Sequence, residues 1–175
     1  MSFKEIVVER SKVIDEIFII KPSVSRDLRG SIFTSYLKSS YNQFIPCDIE
    51  YVHDKFAVSR NNVLRGLHGD NKTWKLITCV YGEIFQVVVD NRPESRTYLK
   101  WDSWIINDKN NIQVLVPPNF VNGYYILSEN AVFYYKLAYS GEYHDVQKQV
   151  VLKWNDPRIG IKWPTDSPIL QNRDK

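Results

Sequence analysis

The chain carries three histidines, His53, His68 and His144. Imidazole is the side chain whose ordinary titration falls nearest neutral pH, so each is a potential acid, base or ligand. His68 sits in Val63-Leu64-Arg65-Gly66-Leu67-His68-Gly69-Asp70, and the glycines there let backbone or a ligand approach closely. A hydrogen-bonded structural imidazole, a metal ligand and a proton carrier all fit a lone histidine. The metal reading fails on supply. Asp70 stands two residues on from His68 where a second imidazole would be needed, and His53 and His144 have no partner at ligand spacing. Arg65 and Lys75 flank the same region. A guanidinium grips a phosphate or carboxylate through two hydrogen bonds, and an ammonium supplies a point charge. Either cation alone reads as surface, but together with His68 they favour an anionic ligand. Tyr134 and Tyr135 are adjacent, so on a strand only one can face inward, where a phenol can deliver a proton.

These residues need a scaffold of strands. Asp15–Lys21, Leu76–Val80, Ile84–Val89, Ile112–Val116, Tyr124–Leu127 and Val132–Tyr139 read as short strands. Tyr81-Gly82-Glu83 joins two of them as a hairpin, and Asp27–Gly30 is a turn signal. Thr34–Phe44 is the one helix expected, with Leu37, Tyr41 and Phe44 near one face. From Gly141 onward the pattern is irregular. Many short strands, aromatic residues at 14% and turn residues between strands predict an all-β jelly-roll sandwich or barrel, one domain over residues 1–175. A barrel mouth of this kind can hold a ligand site. The balance of 23 basic to 20 acidic residues, net +3, is too small to indicate nucleic acid. No apolar run reaches membrane-spanning length, and charges interrupt the N-terminal apolar stretch, which excludes a secretory signal. Cys47 and Cys79 form no disulfide framework or metal motif, so a cytoplasmic protein with free thiols is expected.

The order of several short motifs is more specific than any one of them. Asp27-Leu28-Arg29-Gly30-Ser31-Ile32-Phe33 is followed by Asn62-Val63-Leu64-Arg65-Gly66-Leu67-His68 and Lys75-Leu76. Then come Gly82–Asp90, Arg92 through Thr97, Pro117-Pro118-Asn119-Phe120, Leu127-Ser128-Glu129 and Phe133-Tyr134-Tyr135-Lys136. Trp154-Asn155-Asp156-Pro157, Ile159-Gly160-Ile161, Trp163-Pro164 and Arg173-Asp174 complete the series. Over residues 15 to 174 this resembles the dTDP-4-dehydrorhamnose 3,5-epimerases and related nucleotide-sugar epimerases. The resemblance implies a metal-free, cofactor-independent, cupin-like jelly-roll homodimer acting on nucleoside-diphosphate 4-keto-6-deoxy sugars. It implies His68 as the base, oriented by Asp174, Lys75 as the donor to the C4 oxygen and Tyr135 as the opposed acid. It further implies Arg65 on the diphosphate, and Arg29 reaching across from the neighbouring subunit.

Several positions depart from that family's pattern. Asn122 replaces a histidine facing the sugar and cannot titrate, which would allow inversion at C3 alone. Asp70 replaces a residue after the usual aromatic, and Gln86 replaces an acidic residue facing the site. Where the family contacts thymine, Ser31-Ile32-Phe33-Thr34 and His53-Asp54-Lys55 stand instead of an aromatic run and a Gln-Asp-Asn strand. Asn122, Asp70, Gln86, His53 and Lys55 are therefore expected substrate contacts with altered preference. Relatives of this kind act on GDP-linked 4-keto-6-deoxy heptoses in capsule biosynthesis, and that substrate is the leading expectation. An unchanged dTDP-4-keto-6-deoxyglucose substrate, a 3,4-ketoisomerase of the same fold and a non-catalytic sugar-nucleotide binding module are the alternatives.

Overall fold

A computed structural model describes residues 5–175. The described strands, in chain order, are β1 (Ile6–Arg10), β2 (Phe18–Pro22), β3 (Val24–Asp27), β4 (Gly30–Phe33), β5 (Tyr51–Arg60), β6 (Leu64–Gly69), β7 (Trp74–Tyr81), β8 (Glu83–Asp90), β9 (Trp101–Asn107), β10 (Gln113–Val116), β11 (Phe120–Ile126), β12 (Asn130–Ala138) and β13 (Val150–Val151). They form a six-stranded sheet in the order β1-β2-β10-β7-β12-β5 and a five-stranded sheet in the order β13-β6-β11-β8-β9. β3 and β4 make a separate hairpin. The strands pair antiparallel, and sequence neighbours repeatedly sit in opposite sheets, as in a jelly roll.

The two inner faces meet in one core. Ile77, Cys79, Val114, Val116 and Phe133 come from the six-stranded sheet, and Ile84, Val88, Ile106, Phe120 and Ile126 from the five-stranded sheet. Part of each outer face is also covered. The segment around Tyr41 and Ile45 packs on Ile20, Leu76 and Leu115. Leu152, Ile159, Ile161 and Trp163 from the tail pack on Val87, Val89 and Val121. Strands covered on both sides lose the apolar–polar alternation, so every residue of β11 is buried.

The expected helix over Thr34–Phe44 shrinks to one α turn, α1 (Lys38–Tyr41), followed by a 3-10 turn at Asn42–Phe44. Leu37 at its start gives no side-chain cap, and Ser39, Ser40 and Asn42 are weak helix formers. Packing of Tyr41 holds the turn in place: its hydroxyl donates to Gln113 Oε1 at 2.8 Å. The strand expected at Asp15–Lys21 starts later, at Phe18, because Ile14 and Ile17 close a turn through Ile17 N–H to Ile14 O. Among the described residues, no helix is long and apolar enough to cross a membrane.

Candidate active site

The site begins with a close approach of β6 and β11. Asn122 pairs with His68, and the register shifts between Asn122 and Tyr124. Gly66 and Gly123 permit this contact. Gly66 has φ of +128°, and a Cβ placed on it would lie 2.5 Å from Gly123 Cα. A Cβ on Gly123 would lie 2.9 Å from the Arg65 carbonyl. The approach tilts Arg65 and His68 toward a cavity of about 260 Å³. Lys75 of β7, Asn122 of β11, Tyr135 of β12 and Arg173 of the tail also line it. Tyr124 and Phe133 stack 4.0 Å apart at 8° and form an apolar wall.

His68 Nε2 lies 2.7 Å from Asp174 Oδ1, and His68 Nδ1 lies 2.8 Å from Arg173 Nη2. A guanidinium only donates, so Nδ1 accepts and the proton resides on Nε2, facing the carboxylate. Asp174 has a fully buried side chain in a 3-10 turn, Asn172–Asp174. Burial opposes its ionisation, but hydrogen bonding and charge from His68, the Gly66 N–H and Gln171 together hold its carboxyl below the ordinary range.

Lys75 is half-buried at the cavity wall, and loss of hydration drops its pKa to about 8, against a partial opposing pull from Asp70. Its ammonium donates to Asn122 Oδ1 at 2.9 Å and to the His68 carbonyl at 3.1 Å, leaving one N–H for a ligand. Burial pushes the Tyr135 phenol above its ordinary value, so it stays protonated at neutral pH. Alternation sends Tyr134 the other way, where its hydroxyl donates to Asp54. Lys55 lies 5.8 Å from the Tyr135 ring centre and 5.0 Å from that of Tyr143.

The structure thus brings His68, Lys75, Tyr135, Asp174, Arg65, Asn122 and Lys55 to one cavity or its wall. It places four other expected residues elsewhere. Asp70 closes the turn between β6 and β7, where its Oδ1 accepts from the Lys72 and Thr73 N–H groups. Gln86 lies in the sandwich interior, donating to the Val87 carbonyl, and does not line the cavity. His53 packs its ring edge on Tyr143, 4.9 Å between centres. Arg29 sits on the β3–β4 hairpin, 90% exposed and paired with Asp27. Arg173, Tyr143 and Gln149 line the cavity without having been singled out. Arg173 stood in a quoted motif beside Asp174, but the other two fall in a stretch with no periodic signal. Among the described residues, no three histidine, cysteine or acidic side chains cluster as a metal-binding group.

This jelly roll of the cupin-like type gathers at one cavity an imidazole–carboxylate pair, a half-buried ammonium and a phenol, the side-chain types that acid–base isomerisation uses. The family model described as dTDP-4-dehydrorhamnose 3,5-epimerase matches residues 11–175, and the chain belongs to that family. It is 37% identical over 165 residues to dTDP-4-dehydrorhamnose 3,5-epimerase of Salmonella typhimurium, covering 92% of this chain and 88% of that protein. It is similar to the crystal structure of dTDP-6-deoxy-D-glucose-3,5-epimerase from Legionella pneumophila bound to dTDP-4-keto-L-rhamnose. That match has a TM-score of 0.89 and 32% identity, over 97% of this chain and 90% of the other. A 3'-monoepimerase from Streptomyces bikiniensis in complex with dTDP-quinovose matches with a TM-score of 0.86 and 26% identity, over 95% and 84% of the two chains. The chain is a carbohydrate epimerase of the isomerase class.

Proposed function

We propose that this single jelly-roll domain, acting in the cytoplasm, inverts carbon beside the C4 ketone of a dTDP-linked 4-keto-6-deoxy sugar. The observation that carries the reading is the His68–Asp174 pair on one cavity with Tyr135. A C–H beside a ketone is acidic only through its enolate. His68 Nδ1 takes the proton, and the C–H electron pair moves into the enolate. Asp174 stabilises the imidazolium that results. The remaining N–H of Lys75 meets the oxyanion at C4. The Tyr135 hydroxyl returns a proton from the opposite face, and the ketone re-forms. Arg65 and Lys55 make the cavity positive, which suits the diphosphate.

The GDP-linked heptose expected from the departures receives less support than the dTDP sugar. The relatives reported above are dTDP-sugar epimerases, and the structures bind dTDP ligands. Asn122 still favours asking whether one carbon or two is inverted, because the similar fold of a 3'-monoepimerase performs one.

The outer face of β5 exposes Val52, Phe56 and Val58 at 58%, 64% and 69%, with Phe56 against Tyr134. An apolar edge strand of this kind invites pairing with a second copy. We read the chain as a homodimer in which the exposed Arg29 serves the neighbouring cavity. Proton NMR in D₂O, offering dTDP- and GDP-linked 4-keto-6-deoxy sugars side by side, tests the reading. Deuterium beside the ketone of the dTDP sugar is expected, and no exchange with either sugar rejects it.

A further inference from the structure

The nitrogen that must take the proton is already occupied. Arg173 Nη2 lies 2.8 Å from His68 Nδ1, on the lone pair that the reaction needs. A guanidinium does not lose its proton in proteins, so this contact exists only with a neutral imidazole. Once Nδ1 is protonated, two donors and two positive charges would face each other. The Arg173 side chain therefore has to leave before His68 can act.

The rest of that guanidinium is poorly matched where it sits. Nε and Nη1 are buried without a hydrogen-bond partner, and Nε is 3.6 Å from Asp174 Oδ1. Nη2 has only a long second contact, 3.5 Å to Gln149 Oε1. Buried donors left unpaired are costly, so the arrangement is one that an incoming acceptor can displace. The side chain remains 25% exposed and lines the cavity, which gives it room to swing.

We propose that Arg173 is a positioning residue that masks the base: it holds His68 in the Nε2–H tautomer with Nδ1 covered, and an anion entering the cavity draws it away. This inference rests on the assignment of His68 as the base. It adds a step before chemistry, in which occupancy of the cavity by an anion uncovers the base. An empty site would then keep Nδ1 of its imidazole shielded from solvent protons.

Nitrogen NMR of protein labelled at histidine tests this without turnover, with His68→Asn marking the signal. In the ligand-free wild-type chain the proton is expected on Nε2, with Nδ1 showing the upfield shift of a hydrogen-bonded acceptor. Inorganic diphosphate, which carries neither base nor sugar, is expected to move Nδ1 toward the free lone-pair position. Arg173→Gln is expected to start there and to stay there when diphosphate is added, and Arg173→Lys to restore part of the shift. A proton on Nδ1 in the ligand-free wild type, which needs no variant, overturns the proposal. So does an Nδ1 signal that neither diphosphate nor Arg173→Gln moves. Failure of the epimerase reading would appear instead as absent turnover with these shifts intact.

Discussion

Asp174 and His68 stand 106 positions apart in the chain and 2.7 Å apart in space. Their meeting depends on the tail crossing the five-stranded sheet and turning its last residues into the cavity. Asp174→Asn keeps the shape but removes the charge that steadies the imidazolium. Turnover is expected to fall by about 10²- to 10⁴-fold with the fold unchanged by dichroism. The carboxyl sits below its ordinary value of 3.8. A lowered folded value means that the stabilisation is complete above the ordinary one and is lost as pH falls through the folded one. Acid unfolding of Asp174→Asn should accordingly lack this component.

Lys75 supplies an alkaline limit. Its pKa of about 8 means that the ammonium loses its proton as pH rises past that point, and with it the donor to the C4 oxygen. kcat/KM is expected to decline above about pH 8 in the wild type. Lys75→Arg should abolish that limb. Lys75→Met is expected to cost about 10²- to 10³-fold in kcat below about pH 8, as loss of an oxyanion donor does, and progressively less above it, where the wild type loses the donor too.

Tyr135→Phe separates the two halves of the reaction. His68 can still remove the proton, so solvent deuterium is expected to enter the substrate from its original face. The inverted product should disappear. Quantitative NMR of isotope content against product formed checks this, and equal loss of both signals would assign Tyr135 to binding instead.

Arg29 and His68 offer a test of a shared site. If Arg29 of one subunit serves the other's cavity, Arg29→Ala and His68→Asn are each inactive alone. Mixed and allowed to exchange subunits, they should recover up to about one quarter of wild-type activity, because half the dimers are mixed and each has one intact site. No recovery with demonstrated exchange would place both residues in the same subunit's site.

Gly123→Ala probes the contact that shapes the cavity. The added Cβ meets the Arg65 carbonyl at 2.9 Å, and backbone cannot yield as a flexible side chain can. A destabilisation of about 1–3 kcal/mol is expected in denaturant titration. Activity should fall further than stability alone explains, since Asn122 and Arg65 both shift.

Much of the site was legible because chemistry requires particular side chains in order. The order of short motifs names His68, Lys75, Tyr135 and Asp174; the first three line one cavity, and Asp174 is bonded to His68. Side-chain direction was harder to read. Asp70 lies in the same motif as His68, yet it caps its own turn because its carboxylate reaches the backbone N–H groups two and three residues ahead. β5 gives no strand signal in the sequence because it is built inside out. His53 and Lys55 alternate with Val52, Asp54 and Phe56, and the exposed side is largely the apolar one. A pattern that buries polar groups and shows apolar ones to solvent does not register as a strand. The helix failed for the opposite reason: the apolar spacing of Leu37, Tyr41 and Phe44 was present, but tertiary packing used only its middle turn.

Beyond β13 the tail is fastened to the sandwich rather than woven into it. Ile169 exchanges backbone hydrogen bonds with Asn62 and Leu64, and Leu152 does so with Leu67. A protease that nicks this segment would spare both sheets and strip the carboxylate from the base. Such damaged molecules would still look healthy in a melting curve or a gel-filtration trace. Specific activity read beside intact mass is what would expose them.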